Sequence, residues 1–289
     1  WLSSFEFGTN VGARPRYRPL AAFSLMRDFV LWRLNPLGYH ATNLMLFAAT
    51  VFLLGLFLGL LAKDGAKGAW AAGIFALLPA NVQTASLVAA RPWLCAGAGL
   101  SLGGGLLVGV LSGQWRWRWW LPVVSALAFV LAALAHEAAA LAPFAILALF
   151  YLLGGRPSPT LSRGRLALLL APPMLLALAM QPIRLRLSHF APYRLTGSFL
   201  GDLATFAHLS LAGLWRSLIP WTAKPFDYVP LETASPTGWI LIGAAFLLVA
   251  TAFSRRPVRA WGLWYLAFLL PSALSLIAGR AIYSEHLYY

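Results

Sequence analysis

The sequence predicts an all-α fold, a multi-pass transmembrane helical bundle with about eight spans in this stretch of chain plus interfacial helices. Three observations predict it. Hydrophobic residues make up 60% of the chain and charged ones 10%, and the mean hydropathy of +0.74 is far from that of a soluble globular protein. Apolar runs of spanning length recur along nearly the whole chain. The short linkers between alternate runs are basic, as expected on the cytoplasmic side of a membrane. A transmembrane barrel would show short alternating segments with polar lumen positions, and the sequence has none.

Residues 1–38 read as an extracytoplasmic loop, polar and aromatic, with an amphipathic helix near Leu20 to Leu34. Pro36 disfavours helical backbone in the residue before it, so the helix should end ahead of it. Residues 39–289 read as a polytopic membrane domain with spans near 39–62, 69–90, 93–112, 119–135, 138–154, 166–182, 237–253 and 261–278. The fourth and fifth spans follow from length. Leu121 to Ala135 and Ala138 to Leu153 contain no charge, and one helix over both would be about 50 Å long against roughly 30 Å of bilayer core. The chain must turn at His136-Glu137. Residues 183–236 form a long extracytoplasmic connection whose apolar piece, Phe206 to Pro220, is too short to span and reads as interfacial or re-entrant. The chain opens at Trp1 and stops at "EHLYY" with no polar tail, so we expect a fragment at both ends. Cys95 is the only cysteine, which excludes an intrachain disulfide framework and a zinc cluster built on several thiolates.

Charge sets the orientation. The linkers holding Lys63 and Lys67, Arg116 and Arg118, Arg156, Arg163 and Arg165, and Arg255, Arg256 and Arg259 carry ten basic residues and one acid, Asp64. If the spans alternate, all four share the cytoplasmic side and His136-Glu137 turns on the opposite, extracytoplasmic face. That face also holds twelve basic residues, among them Arg18, Arg27, Arg33 and Arg91. They suit either lipid headgroups, by snorkelling, or a basic cavity for an anionic lipid-linked substrate, since the guanidinium fork matches phosphate oxygens. Nucleic acid is excluded as a partner, because these charges lie between membrane spans and on the wrong side of the membrane. The tryptophans at 115, 117, 119 and 120, interleaved with Arg116 and Arg118, read as an interfacial belt, and Gly103 to Gly105 as a close-packing stretch of a span.

Five stretches are more specific. They are Tyr17-Arg18-Pro19-Leu20 followed by "NPLGYHATNLMLF", then "FALLPANVQTASLVAARPWL", "AHEAAALAPFAIL", "LWRSLIPWTAKPFDY" and "FLLPSALSLIAGRAIYSEHLYY". In this order and spacing the chain resembles the membrane region of the transmembrane-and-TPR O-mannosyltransferases and their bacterial relatives, polyprenyl-phosphate-sugar-dependent enzymes of the GT-C superfamily. The resemblance covers essentially the whole sequence. It implies a GT-C-like bundle, a polyprenyl-phosphate-linked sugar as donor, a protein or glycan acceptor, and a site on the extracytoplasmic side of the cell (inner) membrane.

Carried over by position, the resemblance assigns Tyr17, Arg18, Gln83, Arg91, Glu285 and His286 to substrate binding, and His136 and Glu137 to the catalytic neighbourhood; His40, beside Tyr39 at the head of the first span, is placed to face the same site. The family's histidine-proline element with its later glutamate falls on Leu78-Pro79 and Gln83, so both polar residues are replaced while Arg91 is kept. Its lysine-glutamate pair falls on His136-Glu137, and its closing glutamate-arginine-tyrosine-leucine-tyrosine pattern on Glu285-His286-Leu287-Tyr288. The main catalytic acid of the superfamily sits just after the first membrane helix, which would precede Trp1. Glu6 is the only acid near that place, and it lacks the paired-acid motif. Transfer from a phosphate-linked sugar needs a base for the acceptor hydroxyl and a cation or metal for the departing phosphate; the sequence does not decide between arginine and a divalent cation. Two other classes fit the composition. One is a non-catalytic lipid-handling or transport protein, against which stand charges gathered at span ends rather than at midplane. The other is an inactive GT-C-like scaffold subunit.

Overall fold

Proline starts most of the helices. In the computed structural model, which describes residues 18–78 and 80–187, α1 (Pro19–Trp32), α2 (Pro36–Ala62), α5 (Arg91–Leu111), α6 (Leu121–Ala135) and α7 (Ala142–Leu152) each carry proline at their first or second position. There the missing N–H is one no helix could satisfy, and the ring presets the helical φ. Asn35 adds a side-chain cap, its Oδ1 accepting from Leu37 N at 3.1 Å. The remaining elements are α3 (Gly65–Leu77), α4 (Ala80–Ser86), α8 (Arg163–Leu187) and two 3₁₀ turns, Val88–Ala90 and Glu137–Leu141. The described residues contain helix and no strand. The chain divides into two compact units, and all of the described residues but Leu78 and Ala80 belong to the first, Trp1–Leu77 with Asn81–His189.

α2 and the stretch Val88–Leu111 are each long and apolar enough to cross a membrane. α6 and the stretch Ala139–Leu152 are apolar but shorter. α6, at 15 residues, extends about 22 Å, less than a bilayer core. The span expected at 69–90 is not one helix. α3 stops at Leu77, before Leu78-Pro79, and the chain resumes as α4 and a 3₁₀ turn. Proline withdraws an amide donor and pushes the preceding residue out of helical backbone, a constraint that hydropathy does not register. The helix expected from 138 likewise begins as 3₁₀ through Leu141. The spans expected at 237–253 and 261–278, and the connection 188–236, lie outside the described residues.

α5 is the axis of this unit, mostly buried, whereas little of α2 is buried. Glycines on α5 let both neighbours approach. Gly97 faces Thr50 and Gly104 faces Phe57 on α2, so α2 and α5 run parallel. Gly99 faces Ala128 and Ala132, and Gly103 faces Phe129, so α6 runs antiparallel. Two hydroxyls cement the contacts, Ser125 Oγ donating to Gly103 O at 3.1 Å and Thr50 Oγ1 reaching Leu94 O at 3.2 Å. α3 returns antiparallel along α2, with Gly68 against Gly55 and Gly59, so close that a Cβ at residue 68 would collide with the α2 backbone.

These registers sort the linkers. The Lys63–Lys67 turn, the tryptophan-rich linker after α5 and the 155–165 connection meet at one end. Gln114 Nε2 donates to Leu60 O (2.7 Å), Ser158 N to Leu111 O (2.7 Å), and Arg165 lies over the Trp117 ring. The N-termini of α2 and α5 and the C-terminus of α6 gather at the other. Three of the four basic linkers therefore share one end of the bundle, and the fourth, at 254–260, lies outside the described residues. In the tryptophan-rich linker Trp119 is 79% exposed and Trp115 packs on Gly109.

Candidate functional site

At the end away from the basic linkers, α1 lies across the tips of α2, α5 and α6, and two polar groups form beneath and beside it. The inner one centres on Arg91, the first residue of α5, whose side chain is fully buried. Its Nε donates to Asn43 Oδ1 on α2, Nη1 to Ser24 Oγ on α1 at 2.9 Å, and Nη2 to the Tyr39 carbonyl at 3.2 Å. Nη2 also lies 2.8 Å from Oδ2 of Asp28, on α1 and equally buried. That contact satisfies the charges but not hydrogen-bond geometry, so Oδ2 has no hydrogen-bond donor. Asp28 Oδ1 has two neighbours, the Thr42 hydroxyl at 3.1 Å and the half-exposed Arg27 at 3.5 Å. Asn43 Nδ2 donates to Leu87 O at 2.9 Å, which extends the cluster to the turn before α5. A charge pair in this setting persists because each member is met by the other and by hydrogen bonds.

The outer group joins Arg18, Trp93 and His136. Arg18 immediately precedes α1, and its Nη2 lies 3.0 Å from His136 Nε2, 118 positions away in sequence. Guanidinium only donates, so Nε2 accepts and the imidazole is unprotonated there. His136 ends α6 in extended backbone (φ −149°, ψ 136°), which turns the ring back toward α5. There it stacks on Trp93, with ring centroids 3.7 Å apart and planes 27° from parallel. Beneath the stack, Ala96, Ala132, Ala135 and Ala139 form a core of small side chains against which Leu20 of α1 packs.

The structure thus brings three of the sequence-predicted site residues, Arg18, Arg91 and His136, to one end. Arg91 is inside, with a protein acceptor on each of its three nitrogens, and Nε2 of His136 meets Arg18. His40 is exposed in the first turns of α2, while the main chain of its neighbour Tyr39 meets Arg91. Gln83 is on α4 and Glu137 opens the 3₁₀ turn, their side chains outside the described part of the structure. Tyr17, Glu285, His286 and Glu6 lie outside the described residues.

Asp28, Asn43, Ser24 and Trp93 are members of the site that sequence reasoning missed. Two signals pointed to them. Ser24 and Asp28 stand four apart on a helix whose only other polar side chain is Arg27, and Asn43, Thr50 and Phe57 recur at steps of seven on the α2 face toward α5. Among the described residues no group of three or more His, Cys, Asp or Glu is placed to hold a metal ion. Comparison with protein families, curated proteins and solved structures finds no match for this chain.

Proposed function

We propose that the chain is the membrane domain of a glycosyltransferase that moves a sugar from a polyprenyl-phosphate carrier to an acceptor hydroxyl on a protein or glycan, at the extracytoplasmic face of the cell (inner) membrane. The observation that carries the reading is the arginine-histidine-tryptophan group at the bundle end away from the basic linkers, held above a buried Arg91–Asp28 pair. In this reading the basic linkers are cytoplasmic, the bundle is multi-pass, and the polar end meets the outer headgroup level, where a lipid phosphate lies.

Arg18 is the phosphate-binding group, its planar fork suited to two phosphate oxygens. His136, as a neutral acceptor, aims that fork, and Trp93 holds the imidazole plane. Arg91 and Asp28 anchor the helix that Arg18 precedes. Glu137 supplies the base for the acceptor.

One observation favours a second reading, a lipid-handling or scaffold protein without catalysis. Both described aspartates are engaged by cations, Asp28 with Arg91 and Asp64 with Lys67. A reconstitution experiment separates the two. The purified chain in vesicles, given a polyprenyl-phosphate hexose and a hydroxyl acceptor, should bind the donor and release polyprenyl phosphate. Arg18→Lys should weaken binding at least tenfold although it keeps the charge, because the fork is lost. Donor binding without release of polyprenyl phosphate would favour the lipid-handling reading; no donor binding at all would end both of these and leave the scaffold.

A further inference from the structure

α1 is inside out. Its polar side chains Ser24 and Asp28 point into the bundle beside Ala21 and Ala22, where Arg91 meets them. The opposite face carries Phe23, Met26 and Val30, which are 62%, 45% and 68% exposed. An amphipathic helix lying in water on a protein surface has the reverse arrangement, apolar in and polar out. Contiguous exposed apolar surface of this kind marks a contact.

We propose that α1 lies in the membrane surface with this face in the acyl chains of lipid, rather than in an aqueous loop. Two features identify the occupant. The face continues through Leu34 and Leu37 onto the outer side of α2, where Leu44, Met45 and Phe52 are exposed on a helix long and apolar enough to span. The charges that flank it are all cationic. Arg27 is 55% exposed on the same helix and Arg33 is exposed just after it, while the one acid of α1, Asp28, is turned inward. Arginines at such an edge reach headgroup phosphates while their stems stay in hydrocarbon. A second copy of the chain docked face to face would instead bring these arginines together with no α1 acid to meet them. The inference rests on the membrane reading of α2 and α5 and not on the transfer chemistry.

The test uses the full chain in vesicles of mixed zwitterionic and anionic phospholipid. Cys95→Ala provides a cysteine-free background, and spin labels are placed one at a time through Phe23→Cys, Met26→Cys, Val30→Cys and, as a reference on α2, Leu56→Cys. None of these positions takes part in the Arg91–Asp28 cluster. Collision of each label with oxygen, which partitions into lipid, and with a water-soluble nickel chelate is then measured. The three α1 labels should resemble the reference, with frequent oxygen and rare nickel collisions. Frequent nickel collisions at the α1 labels, with the reference in lipid, would overturn the proposal. Labels shielded from both reagents would overturn it too, and loss of that shielding on dilution into excess lipid would identify a second copy as the occupant. Nickel access at all four would overturn the membrane reading along with it.

Discussion

Removing the charge of Arg91 should destabilise the protein more than removing that of Asp28, and the order follows from what each leaves behind. Breaking a buried ion pair by deleting one partner costs about 3–5 kcal/mol, because the other charge stays buried. In Asp28→Asn the guanidinium keeps Asn43 Oδ1, Ser24 Oγ and the Tyr39 carbonyl as acceptors, and the new amide oxygen can still accept from Thr42. That variant belongs at the lower end, about 3 kcal/mol. In Arg91→Met the carboxylate is left with the Thr42 hydroxyl and an arginine that is 55% exposed, and three acceptors lose their donor at once. That variant belongs at the upper end, about 5 kcal/mol. The double variant buries neither charge and should cost at least about 2 kcal/mol less than the sum of the two, the coupling expected of direct partners. Unfolding in mixed micelles, followed by circular dichroism for all four proteins, measures the cycle. Equal single costs, or a double variant that is simply additive, would refute the assignment of Arg91 as the centre of this cluster.

Topology can be read with Thr160→Cys on the Cys95→Ala background; an impermeant thiol reagent added outside intact cells should leave it unlabelled, since residue 160 lies in a basic linker. Gly68→Ala should destabilise by about 1–3 kcal/mol through overpacking against the α2 backbone at Gly55 and Gly59, seen as a lowered Tm in detergent. Lys63 ends α2 in left-handed backbone (φ 54°, ψ 33°), where glycine is the residue of choice, so Lys63→Gly should stabilise by about 0.5–1 kcal/mol in the same assay. Asp64 caps α3 through Lys67 N at 3.2 Å and pairs with the Lys67 ammonium at 3.1 Å. The Lys67 amide, followed by the Lys67 side chain, holds its carboxyl below the ordinary value of 3.8. Its protection of the α3 amides should thus be complete above that value and fade as pH falls below it through the lowered pKa. Hydrogen exchange at the Lys67 amide should show that acid loss, and Asp64→Asn should abolish its pH dependence.

Helix starts were legible because proline and asparagine act locally. Arg18-Pro19, Asn35-Pro36 and Arg91-Pro92 each begin a helix within a few residues of its expected place. Gly103 and Gly104 were legible as packing positions, whereas Gly97 and Gly99, which also admit the neighbouring helices, were not singled out. The break after Leu77 was not, since a run such as "FALLPANV" stays apolar through its proline and hydropathy weighs side chains, not backbone donors. The Arg91–Asp28 pair was illegible for a different reason. Sequence showed an arginine at a span end, where headgroup, substrate and internal partners are equally compatible with the charge; only the parallel register of α2 and α5, with α1 laid over their tips, selects the internal partner. His136 carried a partial signal. Its place at the turn was readable from length, but its partners Arg18 and Trp93 are brought to it across the fold.

The distance in sequence between the halves of the buried cluster also has a consequence in time. Ser24 and Arg91 are 67 positions apart. At roughly 5–20 residues synthesised per second, α1 is complete for about 3–12 s before the residue that neutralises Asp28 has even been made. Throughout that interval the polar stripe of α1 has no buried place to go, so α1 must wait at the surface in water or among headgroups. It can turn its apolar side to the lipid only after α5 arrives. The cluster therefore sets an order of assembly: α1, made before the other helices described, docks after a helix made several turns of the chain later.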